Sequence, residues 1–271
     1  MALANTALPG RSSPDSRVYL TDHLMIIRAL IFRMVRVKFM RAPAGFLLEF
    51  FQPTLSCVAH YFIFWAVSKG MPPGMSLEQF IWGAFTPWLT FSQTYHVLER
   101  LPGSKAPPIP GVTAMHARLV HVVWNIVSKG AFCYGSVAIM IVFGDNITFP
   151  NVPLTALILV LAATLGMGLG MSIEGICRVA PALDSIFHML SYGLFITAGI
   201  YFSVSTSPLI LMKFFVYNPL LHLVEYERYA FDPGYPVNLV SLTYPLAWAA
   251  GLLLSGLLIN RRLSRKQPLL T

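Results

Sequence analysis

Apolar residues along this chain gather in long blocks instead of alternating or returning every third or fourth position. Runs with no charged side chain cover 50–68, 80–98, 152–173, 185–204 and 237–259, while 119–143 carries only Lys129. A bilayer core of about 30 Å is crossed by about 20 helical residues, each rising about 1.5 Å. Each run is therefore long enough to cross. Backbone groups in hydrocarbon have no water to bond, which restricts crossing segments to helices or a closed barrel. Barrel strands would alternate over about 10 residues, and the stretch LTALILVLAATLGMGLG at 154–170 does not. The pattern predicts an all-α polytopic membrane protein, one transmembrane domain over 1–271. Its six transmembrane helices are expected at about 46–68, 80–98, 119–143, 152–174, 184–204 and 237–259.

The segments between the runs are equally patterned. Residues 1–20, rich in Pro, Ser and Arg, read as a flexible N-terminus, and 260–271 as a cytoplasmic tail. Residues 22–42 are apolar but interrupted by Arg28, Arg33, Arg36, Lys38 and Arg41. That is too much charge to cross, and it suits an amphipathic helix lying in the interface with its cations at phosphates. A plain juxtamembrane anchor and a grip on an anionic head group remain alternatives. The loop 99–118 holds Pro102, Gly103, Pro107, Pro108, Pro110 and Gly111, which prohibit one continuous helix and present a stiff turn. After it, 112–118 has the makings of a short helix leading into the third span. Residues 207–231 are apolar up to Asn218 and Pro219, where a helix must break. Two short re-entrant helices are expected there, the second over 219–231. It sets His222, Glu225, Tyr226 and Tyr229 at helical offsets of three, four and seven, hence on one face. Rings beside hydrogen-bonding groups suit a sugar chain, and the same face serves equally for packing at an interface.

The composition agrees, with 56% apolar and 11% charged residues, where soluble domains have about 45–50% and about 25%. The net charge of +8 would raise nucleic acid as a partner if its positions were ignored. Most of the cations, however, fall before the first span, between spans two and three, and after the last. By the positive-inside rule this places both termini in the cytoplasm, and no nucleic-acid partner is expected. Cys57, Cys133 and Cys177 lie in or at the ends of the runs, an odd number that builds no disulfide framework. No apolar leader with a small-residue cleavage site is evident, so the first span is expected to act as an uncleaved signal anchor. Lys129, Glu49 and Glu174 should face protein or water, since a charge at mid-bilayer costs at least about 2.5–3.5 kcal/mol. Gly166, Gly168 and Gly170 include a spacing that admits close helix approach.

Catalytic patterns are missing. Gly103-Ser104-Lys105 lacks the upstream glycine of a phosphate loop. His116 and His121 do not form the zinc-protease frame, the other histidines are scattered, and no strained serine elbow occurs. An enzyme is not expected, nor is any metal or cofactor on this chain.

The order of features resembles the ABC-2 type permeases of capsular polysaccharide export in Gram-negative bacteria. It comprises a basic interfacial helix, Arg41 followed by Gly45-Phe46 and Pro53, six spans, and NPLLHLVEYERYAFDPGY at 218–235 before a last span ending in basic residues. The resemblance covers about residues 24–267, and its most specific piece is Asn218, Pro219, Leu220, His222, Glu225 and Arg228 with Pro233-Gly234-Tyr235 after it. It implies a bacterial inner-membrane subunit that homodimerises and binds two copies of a cytoplasmic ABC ATPase, which holds the ATP and Mg. A periplasmic adaptor and an outer-membrane export protein are implied as further partners, with lipid-linked acidic polysaccharide as cargo. O-antigen and teichoic-acid permeases share the architecture, and a permease for a small lipid or drug is a further alternative. On this resemblance the 99–118 loop holds the coupling helix, with Glu99, Arg100, His116 and Arg118 as docking candidates. It is richer in proline than the family pattern. Channel candidates are Trp88, Phe91, Tyr95, Tyr134 and Tyr217 together with His222, Glu225, Tyr226 and Tyr229. Arg28, Arg33, Arg36 and Arg41 are candidates for the lipid head group.

Overall fold

A computed structural model describes residues 16–41, 43–67, 75–101, 112–145 and 147–266. Every regular element among them is helical: α1 (Ser16–Arg41), α2 (Pro43–Val67), α3 (Leu77–Arg100), α4 (Ala114–Val142), α5 (Val152–Val179), α6 (Asp184–Thr197), α7 (Leu209–Phe215), α8 (Pro219–Phe231) and α9 (Thr243–Lys266), with a 3-10 turn at Pro181–Leu183. By length and composition, Ala114–Val142, Val152–Val179 and Thr243–Leu263 are able to cross a membrane. The expected proline-rich stretch of the loop at 102–111, residues 1–15 of the N-terminus and 267–271 of the tail lie outside the described residues.

The central helix is α5, packed between α3 and α9. Its glycines decide how close those neighbours come. A Cβ on Gly166 would stand 2.5 Å from the Phe91 carbonyl oxygen, and one on Gly170 2.7 Å from that of Tyr95, both on α3. On the opposite face a Cβ on Gly168 would meet the Leu253 nitrogen of α9 at 2.5 Å. These small residues let two backbones approach α5 from opposite sides.

Helix starts follow their capping chemistry. The Ser76 hydroxyl accepts from the Gln79 backbone N–H and the Gln79 side chain returns to Ser76, which opens α3. Thr113 and His116 make the same reciprocal pair at the start of α4. The helix foreseen over 112–118 and the third span are consequently one continuous helix of 29 residues. The segment foreseen as one span over 184–204 behaves differently. α6 ends at Thr197, and the chain turns through Gly199 at φ 78°. Its 14 residues rise only about 21 Å. The break expected at Asn218-Pro219 is present, with the Asn218 side chain accepting from the Leu220 N–H and α8 running Pro219–Phe231. α1 begins at Ser16, ahead of the expected start at 22.

The charges inside the bundle are inward, as expected, but they do not pair with one another. Lys38 Nζ donates to both oxygens of Glu49 at 2.8 and 2.9 Å. Glu174 pairs with Arg118 at 3.2 Å and with Arg178. Lys129 is fully buried and its Nζ makes no hydrogen bond.

Candidate functional site

α3 carries a polar cluster near each end. Close to its start, Gly83 leaves room for α8: a Cβ there would sit 3.1 Å from Cγ of Arg228. The Arg228 guanidinium then lies over the Phe80 ring, 3.6 Å from its centroid, and is entirely shielded from solvent. Its donors are fully used. Nε donates to the Phe80 carbonyl at 3.3 Å, Nη1 to Phe202 O at 3.0 Å and Glu225 Oε1 at 2.8 Å, and Nη2 to Gly199 O at 2.8 Å and Ile200 O at 3.3 Å. Glu225 Oε2 accepts from the Tyr235 hydroxyl at 2.9 Å, which lies 2.6 Å from Ser203 Oγ. Arg228 thus joins α3, the turn at 199–202 and α8, and Glu225 extends the link to Tyr235 in the loop that leads to α9.

Glu225, Glu227 and Arg228 lie in the expected re-entrant segment and Tyr235 in the loop after it, while their partners Phe80 and 199–203 belong to expected spans, and burial shapes the acids. Burial raises the Glu225 carboxyl above its ordinary range, while Arg228 and Tyr235 pull it back. The Tyr235 phenol is pushed up to about 12 by burial. Glu227, fully buried on the same helix, is raised to about 8 by burial against a 2.9 Å hydrogen bond from the Thr155 hydroxyl. Its second oxygen makes no hydrogen bond.

At the other end of α3, the base of the 102–111 loop is tied to most of the bundle. Arg118 donates to the Leu101 carbonyl at 3.4 Å, to Glu174 at 3.2 Å and to Asn260 Oδ1 at 3.3 Å. His116 Nε2 lies 2.7 Å from Nδ1 of His23 on α1. The docking candidates divide here. Arg100 is exposed, Glu99 is half-buried as a residue, and His116 and Arg118 are buried within the platform.

The channel candidates divide likewise. His222 and Glu225 share a face, as their spacing requires, but that face is buried. The Ser241 N–H donates to His222 Nδ1 at 2.9 Å, which leaves Nε2 as donor to the Val216 carbonyl at 2.8 Å. Tyr226 and Tyr229 stay half-buried, with ring centroids 6.4 Å apart. Phe91 and Tyr95 are buried and stacked at 6.1 Å, Trp88 is half-buried against Phe195 at 5.0 Å, and Tyr134 is half-buried on α4. Tyr217 is exposed. Phe91 and Tyr217 both line an apolar groove of about 230 Å³, together with Leu194 and Trp248. The other rings are not part of that groove, so within one chain the candidates form no single line. Arg28, Arg33 and Arg36 project from α1 and are exposed, with Arg28 5.7 Å from the Phe32 ring centroid. The Arg41 side chain lies outside the described residues.

Sequence spacing did not single out Arg228 and Tyr235 as a pair with Glu225. Two signals were available for Arg228: it stands at offset three from Glu225, a pairing distance on any helix, and it belongs with Glu225 to the pattern at 218–235 that carries the resemblance. Tyr235 stands in the same pattern, but no spacing rule tied it to Glu225.

In comparison with known proteins, the chain is 23% identical over 255 residues to the polysialic acid transport protein KpsM of Escherichia coli, covering 90% of this chain and 95% of that protein. A second E. coli protein of the same name matches at the same identity and coverage. No protein-family model matches the chain.

Proposed function

We propose that this chain is the membrane subunit of an ABC-2 type exporter that moves lipid-linked capsular polysaccharide across the bacterial inner membrane. It crosses six times with both termini in the cytoplasm, pairs with a second copy, and is driven by two copies of a separate ATPase. The observation that carries the reading is its end-to-end likeness to the polysialic acid transport proteins. The all-helical fold, with helices fit to cross a membrane, supports it.

Two features suggest how such a subunit works. The base of the 102–111 loop is linked through Arg118, Glu174 and Asn260 to α3, α4, α5 and α9. A push on that loop by the ATPase is therefore passed to several helices at once. At the far end the Arg228 hub holds α8 as a rigid piece that moves with α3. Only a difference in binding energy between two states of the pair turns nucleotide binding into such a motion. Half-buried and exposed rings such as Trp88, Tyr134, Tyr217, Tyr226 and Tyr229 provide weak stacking surfaces, and weak repeated contacts let a chain of sugars slide.

The test is reconstitution. Proteoliposomes holding this chain with its ATPase should protect added lipid-linked acidic polysaccharide from an external glycan-degrading enzyme in an ATP-dependent manner. The chain alone should hydrolyse no ATP and move no polymer, and unaided turnover by the single subunit overturns the reading.

A further inference from the structure

We propose that His96, Glu99 and His188 form a binding site for a divalent transition-metal ion of the zinc type, set where the end of α3 meets the first half of α6. This goes beyond the transport reading and does not rest on it. His96 and Glu99 stand one turn apart on α3, so their side chains share a face. His188 comes from α6. His96 Nδ1 lies 3.6 Å from Glu99 Oε2 and His188 Nε2 lies 3.7 Å from Glu99 Oε1. The three ligand atoms all fall within 4.8 Å of one another.

The unusual member is Glu99. Its side chain is 6% exposed, and neither of its oxygens makes a hydrogen bond. No lysine or arginine among the described residues forms an ion pair with it. His96 Nδ1 is also buried without a hydrogen bond. A shielded carboxylate needs either a proton or a cation nearby, and here the groups facing it are two imidazole nitrogens and the Tyr95 hydroxyl, which is itself buried without a hydrogen bond. The separations of the two nitrogens are too long for hydrogen bonds. They are close to the edges of a coordination polyhedron, because bonds of about 2.0–2.1 Å in a tetrahedron set ligand atoms about 3.3 Å apart. Each nitrogen faces a different oxygen of Glu99, so closing the set takes a few tenths of an ångström at the carboxylate and a larger turn of the two rings.

The donor set selects the metal. Two imidazoles and one carboxylate suit zinc and its first-row neighbours, whereas magnesium and calcium prefer oxygen. Asp184 Oδ2, 3.7 Å from His188 Nε2, is a further oxygen at the rim. The histidine side chains are 41% and 38% exposed, which gives an ion a way in and leaves room for water. No residue of α6 is buried. A metal here would clip that loosely held helix to the end of α3, directly before the 102–111 loop.

The experiment is metal titration of the full chain, purified in detergent and stripped with a chelator. One zinc ion per chain should bind with micromolar or tighter affinity, and cobalt loaded in its place should give the visible absorption of a four- or five-coordinate ion. Glu99→Gln and His188→Asn should each weaken zinc binding at least tenfold. His188→Asn alters a partly exposed side chain, and its gel-filtration profile should match that of the unaltered protein. The cobalt spectrum needs no variant at all. Absence of zinc binding by the unaltered chain, an octahedral aquo-like cobalt spectrum, or equal binding by His188→Asn overturns the proposal.

Discussion

Arg228 combines complete burial with five hydrogen bonds, one to a carboxylate and four to backbone carbonyls. Lysine has three donors on a flexible stem and lacks the planar fork that reaches Gly199, Ile200 and Phe202 together. Arg228→Ala leaves Glu225 buried without its cation, a loss of about 3–5 kcal/mol, and Arg228→Lys should recover only part of it. Thermal unfolding in detergent measures both. A second residue-level prediction concerns Glu227, whose carboxyl is raised to about 8 from an ordinary 4.5. The folded state then holds a proton that the unfolded chain releases, so this contribution is full below about 4.5 and is lost as pH rises through about 8. Glu227→Gln should flatten that part of the pH profile of the melting temperature while leaving the protein folded. The sequence made the shared face of His222, Glu225, Tyr226 and Tyr229 legible, because 3.6-residue periodicity depends only on spacing. Which neighbour the face meets was not legible, since Phe80, Gly199 and Ser241 reach it from remote parts of the chain. The same limit hid His96, Glu99 and His188 from any local motif.

Among the elements, α5 was the easiest to foresee and its packing the easiest to test. Its uninterrupted apolar run at 152–173 predicted a helix, and the structure carries it on to Val179. The glycines on opposite faces explain how both α3 and α9 lie against it. Gly166→Val and Gly170→Val must displace backbone atoms of α3, and overpacking of this kind costs about 1–3 kcal/mol. Gly135→Ala meets nothing within 4 Å and should be neutral or slightly stabilising, given the better helix propensity of alanine. Melting temperatures of the three variants check this order. α6 was less legible: apolar composition continues through 198–204, but Ala198 and Gly199 turn the chain, and Gly199 adopts a positive φ that composition does not announce. At the loop base, Arg118 joins α3, α4, α5 and α9 through three hydrogen-bond acceptors. If that platform transmits force from the ATPase, Arg118→Ala should lower ATP-driven export about tenfold, equivalent to about 1.4 kcal/mol of coupling. The yield of inserted protein should change much less, and membrane fractionation beside an export assay separates the two effects.

For the molecule as a whole, exposed apolar side chains are a structural requirement as well as a compositional fact. Phe51, Leu55, Phe62 and Trp65 on α2, Met189 and Tyr192 on α6, and Phe214 on α7 all lie open in the isolated chain. Water would not tolerate so much apolar surface, whereas lipid or a second copy covers it without penalty. The block pattern made this environment legible from the start, since it reports what surrounds each helix. The pathway was not legible, because the channel proposed between two copies would depend on faces that meet only in the pair. The central claim is that the chain carries acidic polysaccharide outward, and its most direct test is removal of the gene from its own host, with the polymer quantified separately at the cell surface and in the cell interior. Surface polymer should disappear and lipid-linked polymer should accumulate inside, both reversed by the unaltered chain and not by Arg228→Ala. A normal surface coat in its absence contradicts the account.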